Sequence, residues 1–593
     1  MAHTLLITGT LAPRAIHAAM QSADTTVIEF DTLLDRSRYP KISRWSSLID
    51  LISTEEGLAI NESAESLVDA FLSHELPVEN LPTQRAFRAA CLGSQAWRLT
   101  IPALLNLRLA QHAIQQFKPD RIIVAAGTGI HFAAWRQAAS VAQIKIQFLP
   151  AEKIRISLLR RLWKEWQRWK KPAAATLADV KTPEQTQQIG GILCISGRTA
   201  RIIATQNQDL HLPISGLEAT DLSLTSTAQT SELKERYQQW WKDWLAKYQS
   251  KLGQTETGEL YLDLIKSIGG HFITKIYPSY AALRVHARQR LEKIRPQFVL
   301  CDTQVGTPER MWSLAAQELG IPVVGYNYDQ MPAPKFSFMP DFILADSGRA
   351  NRTFIQHGIP VDRILQIQSH RKLRLSNPPK QPPSKTRRPL IIYADIYYAG
   401  TRADMDPGAS YRNYKQVIET ALRLPEFDFA IKFHPLRERK QEQFSFVGLD
   451  ETELHLRKAF IKDLNPPANL KCVHPEISLP KYMTQADVLL NSTSTAGIEA
   501  FEMGIPVIFL QKIGPHVKAY PSIHDYQACL EALTPEDIAQ QITRLIQDPA
   551  FRVDQIEKQQ RYLREFFWPP GPSLVEGIET IRQKIIAAAP ATT

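Results

Sequence analysis

A cluster of hydroxyl side chains between two apolar runs could do chemistry. Residues 486–511 read ADVLLNSTSTAGIEAFEMGIPVIFLQ, and the polar centre of this stretch is 491–495. The pattern predicts a strand, a hydroxyl-rich turn, a helix over 496–503 and a second strand. Such a turn directs hydroxyls and backbone N–H groups at one point before a helix N-terminus, where the helix dipole favours a phosphate. An ordinary Ser/Thr cap in a βαβ unit fits this stretch equally well.

A histidine follows another apolar run earlier in the chain. Residues 427–433 (FDFAIKF) read as a buried strand, which His434 and Pro435 follow. Proline cannot continue a central strand, so the chain turns there and leaves the histidine at the strand's carboxyl end. Ligands of open α/β sheets bind at those ends. His434 can donate a hydrogen bond to a phosphate and Lys432 can supply a point charge, which favours an anion site over a lone structural histidine.

At these residues the sequence resembles the nucleotide-binding half of GT-B glycosyltransferases. It most resembles the bacterial capsule and lipopolysaccharide sialyltransferases and Kdo transferases, and the CDP-glycerol glycerophosphotransferases. Those families carry a His-Pro motif and a downstream Ser/Thr pair that contact the phosphate or ribose of a CMP or CDP donor. The resemblance implies a donor site formed by matching positions, with an acidic residue on the ribose. These positions are Lys432, His434, Pro435, Ser492, Thr493, Ser494, Thr495 and Glu499.

The resemblance extends over residues 389–584 and is faint before them. Residues 561–570 (RYLREFFWPP), followed by a predicted helix to about 586, resemble the closing helices of these folds. One sialyltransferase motif, an acidic pair followed by glycine, is not evident. Asp395 in YADIYYAG is a poor substitute for it.

Alternating strand and helix patterns predict an α/β protein with parallel sheets. The resemblance makes this a GT-B fold, in which two Rossmann-like domains face a central cleft. We predict an acceptor-binding domain over 1–375 that contains a helical insertion at about 227–294. The proline-rich segment 376–388 is the predicted linker. The nucleotide-sugar-binding domain, with its closing helices, is predicted over 389–593.

A transferase also needs a general base that takes a proton from the acceptor hydroxyl, so a carboxylate or a histidine is expected. Asp302 is the first candidate because it ends a predicted strand at 297–301, although a loop-capping role fits equally well. His131 and Glu309 are the further candidates. The five cysteines show no zinc-ligand spacing, and no DxD-like motif is evident. The resemblance to GT-B enzymes implies a metal-independent enzyme with no cofactor besides its nucleotide-sugar substrate, and the absence of these motifs agrees with it.

The segment 153–171 (KIRISLLRRLWKEWQRWKK) is basic and amphipathic. Leucines and three tryptophans share one broad helical face, and arginines and lysines cover the other. Such a helix suits an anionic membrane surface. A helix packed on its own domain, with a solvated basic face, is the alternative interpretation.

Composition sets the class of the protein. The chain has 593 residues, a net charge of +10, 44% hydrophobic residues and 22% charged residues, which is typical of a soluble protein of two or three domains. We expect no membrane-spanning helix, because no window approaches an apolar run of ~20 residues, and we expect no signal peptide. The basic balance suits anionic nucleotides, and no nucleic-acid-binding signature accompanies it. The expected location is the cytoplasm, peripherally on the inner face of the plasma membrane.

These observations predict a glycosyltransferase that moves a sugar from a CMP-linked donor, such as Kdo or sialic acid, to a surface-polysaccharide or lipid-linked acceptor. Three alternatives stay open. The first is a CDP-glycerol-type polyol-phosphate transferase, and the second is an epimerase like UDP-GlcNAc 2-epimerase, although those enzymes are much shorter. The third is a non-catalytic protein that binds membranes or polymers.

Overall fold

A computed structural model describes part of the chain. The described residues are 3–8, 24–29, 42, 44–47, 51–53, 55–57, 59–64, 94–124, 129–149, 191–195, 199, 203, 214–216, 235, 237–239, 241–243, 245–246, 277–302, 307–327, 340–356, 358–369, 387–396, 409–435, 451–492, 494–511, 520 and 522–588.

The described strands form three sheets, and each pair of neighbouring strands is parallel. The strands are β1 Thr4–Thr8, β2 Thr25–Glu29, β3 Arg44–Ser47, β4 Arg121–Val124, β5 Lys145–Phe148, β6 Ile192–Cys194, β7 Ile214–Gly216, β8 Phe298–Asp302, β9 Val323–Asn327, β10 Phe342–Ala345, β11 Ile364–Gln366, β12 Leu390–Ala394, β13 Asp428–Lys432, β14 Leu470–Val473, β15 Val488–Asn491, β16 Val507–Phe509 and β17 Leu530–Glu531.

Helices alternate with these strands along the chain. They are α1 Ser94–Phe117, α2 Gly129–Val141, α3 Tyr277–Ile294, α4 Thr307–Glu318, α5 Gly348–Gln356, α6 Ala409–Arg423, α7 Glu451–Asp463, α8 Leu479–Met483, α9 Ala496–Glu502, α10 Pro535–Gln547, α11 Pro549–Tyr562 and α12 Leu574–Ala588. The predicted α/β class with Rossmann-like parallel sheets is confirmed. None of the described helices is both long enough and apolar enough to span a bilayer.

The strand order of each sheet tells where its ligands are expected. The third sheet has the order β14-β13-β12-β15-β16-β17, and the first has β3-β2-β1-β4-β5. Both follow the Rossmann order, in which the first and fourth strands of the unit lie side by side. The second sheet, β11-β10-β9-β8-β6-β7, follows the flavodoxin-like order with one added strand. Their topological switch points are therefore β12/β15, β1/β4 and β6/β8.

The core of the third sheet explains its parallel strands. All five residues of β12 (LIIYA) are buried, as are the four of β15. Such continuous apolar runs are typical of strands that helices cover on both faces. Buried residues of α6 and α10, among them Val417 and Ile538, belong to the same hydrophobic cluster as Ile391 and Leu490.

The chain divides into two compact units. The first comprises Met1–Ala64, Arg98–Lys153 and Leu375–Glu565, and the second comprises Glu65–Trp97, Ile154–Arg374 and Phe566–Thr593. The first unit holds the first and third sheets, and the second unit holds the second sheet. The predicted domains 1–375 and 389–593 stay a prediction, and the stretch 1–375 contains two separate sheets.

The predicted closing helix exists as α12, and it packs on the second sheet. Its residues Leu574 and Ile578 share a hydrophobic cluster with Leu300 and Leu344. The contact is close at Gly577, where an added Cβ would lie 2.6 Å from Cγ2 of Ile367. The chain thus returns to the second unit after it completes the third sheet.

Several sequence predictions concern residues that the structure describes only in part. The basic amphipathic segment 153–171 lies outside the described residues. So do residues 376–386 of the predicted linker 376–388. Of the helical insertion predicted at about 227–294, α3 is described, together with helical positions between 235 and 246. The last 18 residues of this prediction therefore correspond to a helix.

Candidate functional site

The carboxyl ends of β12, β13 and β15 form the candidate site. β12 lies between the other two strands, with Tyr393 level with both Ile431 and Leu490. Asp395 follows β12, His434 follows β13 after Phe433, and Ser492 follows β15. Since β12 and β15 meet at the topological switch point, these residues lie where open α/β sheets bind ligands. The predicted histidine and the first predicted hydroxyl therefore lie at one edge of one sheet, two strands apart.

Asp395 forms a buried ion pair with an arginine. Nη1 of Arg457 lies 2.9 Å from each oxygen of the Asp395 carboxylate. The same nitrogen donates to the hydroxyl of Tyr414 at 3.0 Å and to the carbonyl of Ile396 at 3.3 Å. Burial raises the pKa of Tyr414 well above its ordinary value, so its hydroxyl remains neutral. The pair thus brings no net charge to the edge of the sheet.

The spacing of helix α7 explains why Arg457 is buried. Leu454 and Ile461 are buried core residues, three positions before and four positions after Arg457. Residues at these spacings share one helical face, so the arginine must point with them toward the sheet. The carboxylate of Asp395, directly after β12, gives this buried charge an ionic partner.

His434 is linked to the same carboxylate through its backbone. Its N–H donates to Oδ2 of Asp395 at 3.3 Å, while its ring Nδ1 lies 3.2 Å from the carbonyl oxygen of Pro435. Burial lowers the pKa of the imidazole below 6.5, and Asp395 opposes this shift. We assign the proton to Nδ1, which donates to that carbonyl and leaves Nε2 as an acceptor. The ring therefore needs a second proton before Nε2 can donate to an anion.

Lys432 is buried rather than exposed to a ligand. Its side chain is 2% exposed, and Nζ donates to the carbonyl of Phe433 at 2.6 Å and to that of Pro475 at 3.3 Å. Burial lowers its pKa to about 8, against an opposing attraction from Asp395. The lysine thus holds the turns after β13 and β14 together and adds positive charge near the strand ends.

The first hydroxyl after β15 is also buried. Ser492 has no exposed surface, and its Oγ lies 2.6 Å from Nδ2 of Asn413. The same amide nitrogen lies 3.0 Å from the hydroxyl of Tyr393. Helix α6 positions Asn413 on its buried face beside Tyr414. Ser492 therefore takes part in a neutral hydrogen-bond network beneath the edge of the sheet.

The remaining hydroxyls lie further along the turn. Ser494 and Thr495 are partly exposed, and Oγ of Ser494 accepts the backbone N–H of Ala496 at 3.2 Å. Asn491 donates to the carbonyl of Ser494 at 2.9 Å, and the Tyr520 hydroxyl donates to the same carbonyl. Thr493 lies outside the described residues.

The turn leads into helix α9, as predicted. Thr495 is its N-cap but makes no side-chain capping hydrogen bond, and Glu499 is partly exposed in its first turn. Close packing fixes the start of this helix, because a Cβ on Gly497 would lie 2.5 Å from the Tyr520 hydroxyl. The turn is thus closely packed around Ser494, and Ser494 and Thr495 themselves are partly exposed.

The predicted general bases lie on other elements. Asp302 ends β8 at the switch point of the second sheet and is 5% exposed. Glu309 is partly exposed in the first turn of α4. Burial is the main cause that raises the pKa of Cys301 to about 12, and the negative charges of Asp302 and Glu309 add to this rise. His131 lies in α2, but its side chain is outside the described residues.

Sequence motifs did not identify the buried residues that form hydrogen bonds to the site residues and position them. Asp395 fits no acidic-pair motif, and Arg457, Asn413 and Tyr520 lie outside any motif. One signal was available for Arg457, because a charged residue at the buried spacing of a predicted helix needs a partner. The partner itself could not be read from the chain, since the two residues are 62 positions apart.

Comparison with known proteins gives only distant likenesses. No protein-family model matches the sequence, and no curated protein matches it. The chain is similar to the UDP complex of Staphylococcus aureus MnaA, with 10% identity over 68% of this chain and 100% of that one, at a TM-score of 0.39. It is also similar to Acinetobacter baumannii MurG, with 14% identity over 67% of this chain and 99% of that one, at a TM-score of 0.37. A third similar structure is the UDP-GlcNAc 2-epimerase of Neisseria meningitidis bound to UDP-GlcNAc. It has 15% identity over 52% of this chain and 82% of that one, at a TM-score of 0.34. These TM-scores are too low to carry a conclusion about activity.

Proposed function

We propose that this protein is a glycosyltransferase that binds a nucleotide-activated sugar at the carboxyl ends of β12, β13 and β15. The observation that carries the proposal is the Rossmann order of the third sheet, with His434 and the turn around Ser494 on either side of its switch point. The two are separated by two strand spacings, roughly 10 Å. A nucleotide phosphate in front of β12 lies within reach of side chains from both.

The charges of the surrounding side chains favour an anion at this position. The carboxylate of Asp395 would repel a phosphate, but Arg457 neutralises it at 2.9 Å. Lys432, with a pKa of about 8, is largely protonated at neutral pH and lies beneath the same turn. A phosphate near Nε2 of His434 favours the imidazolium, which then donates a charge-assisted hydrogen bond. As the bond between the sugar and the phosphate oxygen breaks, these groups stabilise the departing nucleotide.

We assign the ligand contacts by exposure. His434, Ser494 and Thr495 contact the phosphates, Thr493 belongs to the same turn, and Glu499 contacts the ribose. Ser492, Lys432 and Pro435 position the two turns. The donor is CMP-linked, such as Kdo or sialic acid, in keeping with the His-Pro and Ser/Thr pattern.

The acceptor side of the reaction is assigned to the second sheet. Asp302 lies at the switch point of that sheet and is proposed as the general base, with Glu309 and His131 in reserve. It takes the proton of an acceptor hydroxyl while that oxygen bonds to the anomeric carbon and the nucleotide leaves. The acceptor is a surface polysaccharide or a lipid-linked glycan, and the segment 153–171 is proposed to bring the enzyme to an anionic membrane surface.

Thermal unfolding with CMP, CDP, UDP and GDP tests the donor site. A ligand that binds only the folded state raises the melting temperature, and at a hundred times its Kd it adds about 2.7 kcal/mol. We expect the largest shift with a cytidine nucleotide. His434→Ala should remove this shift, whereas His455→Ala, an exposed histidine on α7, should keep it. Binding should weaken as the pH rises from the lowered pKa of His434, below 6.5, because the imidazole must take up a proton.

The outcomes separate the alternatives. A larger shift with UDP would rule out the cytidine assignment, and no shift with any nucleotide would overturn the proposed function. Release of UDP from a UDP-sugar without an acceptor would indicate an epimerase. Asp302→Asn should abolish transfer while the nucleotide shift remains, and a variant that still transfers sugar would exclude this residue as the base.

A further inference from the structure

Three potential metal ligands meet at the edge of the third sheet. Nε2 of His524 lies 3.6 Å from Oε1 of Glu531, and Sγ of Cys529 lies 3.7 Å from the same oxygen. All three ligand atoms lie within 4.8 Å of one another. The function proposed above does not use these residues.

The local structure brings the three side chains together. Cys529 and Glu531 flank Leu530 at strand β17, so they share one face of that strand. His524 lies in the preceding run of turns, which is anchored by the buried residues Ile523 and Ala528. Ala528 donates its N–H to the carbonyl of Ile523 at 3.2 Å, which closes the turn around the histidine. The arrangement is therefore set by backbone structure and does not depend on an ion.

The spacing fits a tetrahedral zinc ion. Zinc binds cysteine sulfur at about 2.3 Å, histidine nitrogen at about 2.0–2.1 Å and carboxylate oxygen at about 2.0–2.2 Å. At tetrahedral angles these bonds place the ligand atoms roughly 3.4–3.6 Å apart. Two observed separations, 3.6 and 3.7 Å, nearly equal this spacing. Sulfur and nitrogen lie within 4.8 Å of each other, and the side chain of His524 is exposed.

We infer that His524, Cys529 and Glu531 form a zinc site, with Nε2, Sγ and one carboxylate oxygen as protein ligands and water as the fourth ligand. The ion displaces the thiol proton to solvent and bonds to the resulting thiolate. Glu531 then remains ionised and the histidine neutral, so two negative ligands balance the charge of the ion.

The site is separate from the candidate nucleotide site. β17 is the edge strand, and β16 lies between it and β15. The ion would link the turn 522–529 to the sheet edge, which is a structural role. This inference departs from the sequence prediction that the protein has no metal site.

Cobalt substitution tests the inference without any assay of activity. Untagged full-length protein, freed of metal by a chelator, is titrated anaerobically with Co²⁺, and the absorption spectrum is recorded. We expect one equivalent to produce a thiolate-to-cobalt charge-transfer band together with the intense visible absorption of tetrahedral cobalt. One equivalent of Zn²⁺ should then abolish both.

Matched variants identify the ligands. Cys529→Ser should lose the charge-transfer band, and His524→Ala should lose the tetrahedral visible absorption. Cys472→Ser, which removes an exposed thiol on β14 of the same sheet, should retain both features. A wild-type protein without the band overturns the inference, and so does a band that persists in Cys529→Ser. Either result would leave the nucleotide-binding experiment unaffected.

Discussion

Two buried arginine–carboxylate pairs lie in different units of this molecule and have different surroundings. Arg457 and Asp395, with side chains 4% and 0% exposed, lie 2.9 Å apart at the end of β12. Arg284 and Glu318, with side chains 8% and 6% exposed, lie 2.7 Å apart and join α3 to α4. Both pairs keep a charge out of water by the same chemistry, so burial of an ion pair does not by itself mark a functional site.

The difference lies in what else each carboxylate holds. Both oxygens of Glu318 accept the N–H of Arg284 Nε, at 2.8 and 2.9 Å, and Oε1 also lies 2.7 Å from Nη2. Asp395 also accepts the backbone N–H of His434, and its arginine donates to Tyr414 as well. The pair at the strand end therefore also holds the backbone of a histidine at a switch point, and the other pair joins two helices.

The largest expected effect comes from breaking each pair in turn. Arg457→Met and Arg284→Met should each lower the free energy of unfolding by about 3–5 kcal/mol, because each leaves a buried carboxylate without its partner. Only Arg457→Met should also remove the nucleotide-dependent rise in melting temperature. Chemical denaturation with and without the preferred nucleotide measures both effects.

A conservative variant keeps this comparison informative if Arg457→Met does not fold. Arg457→Lys retains the charge but loses the planar guanidinium, so we expect a smaller loss of stability and weaker nucleotide binding. Should Arg284→Met abolish the nucleotide shift as completely as the Arg457 variants do, the two pairs would be equivalent and the contrast between them would fail.

The fold was more predictable than the supports of the site. The strands predicted at 297–301 and 427–433 are observed at Phe298–Asp302 and Asp428–Lys432, because both are apolar runs that end at polar or turn residues. His434 was correctly placed at a strand end because Pro435 ends the strand. In contrast, the partnership of Asp395 with Arg457 depends on which helix packs over which strand. That information is tertiary and leaves no local pattern.

The same reasoning explains the different outcome for the hydroxyl cluster. The sequence shows four consecutive hydroxyl residues at 492–495 but not which of them face the protein. Burial of Ser492 follows from its place directly after β15, where Asn413 of α6 lies above it. Such a contact spans 79 positions and could not be inferred from spacing.

A titration of stability sharpens the comparison, because a third charged group, Lys432, interacts with Asp395. Its folded pKa of about 8 lies below the ordinary 10.5. Between these values the unfolded chain holds a proton that the folded chain has released. The free energy of unfolding should therefore rise with pH over this window, by up to about 3 kcal/mol. Denaturation at pH 7.5 and pH 10 should show that Lys432→Met removes this rise.

The carboxylates supply the matched control for that experiment. Asp395 raises the pKa of Lys432, so Asp395→Asn should shift the start of the rise to lower pH, whereas Glu318→Gln should leave it unchanged. Parallel pH profiles for wild type and Lys432→Met would show that the lysine is not the titrating group.

The smallest expected effect concerns the neutral side of the site. Ser492→Ala removes one of the two acceptors of the Asn413 amide, which can still donate to the hydroxyl of Tyr393. We therefore expect the free energy of unfolding to fall by about 1 kcal/mol. The nucleotide shift should persist, because the Ser492 hydroxyl is buried. Ser494→Ala should instead reduce that shift at little cost in stability, and thermal unfolding of both variants with nucleotide measures the contrast. If Ser492→Ala abolished the shift while Ser494→Ala kept it, the buried hydroxyl would be the phosphate contact, and the turn would have to open for the ligand to reach it.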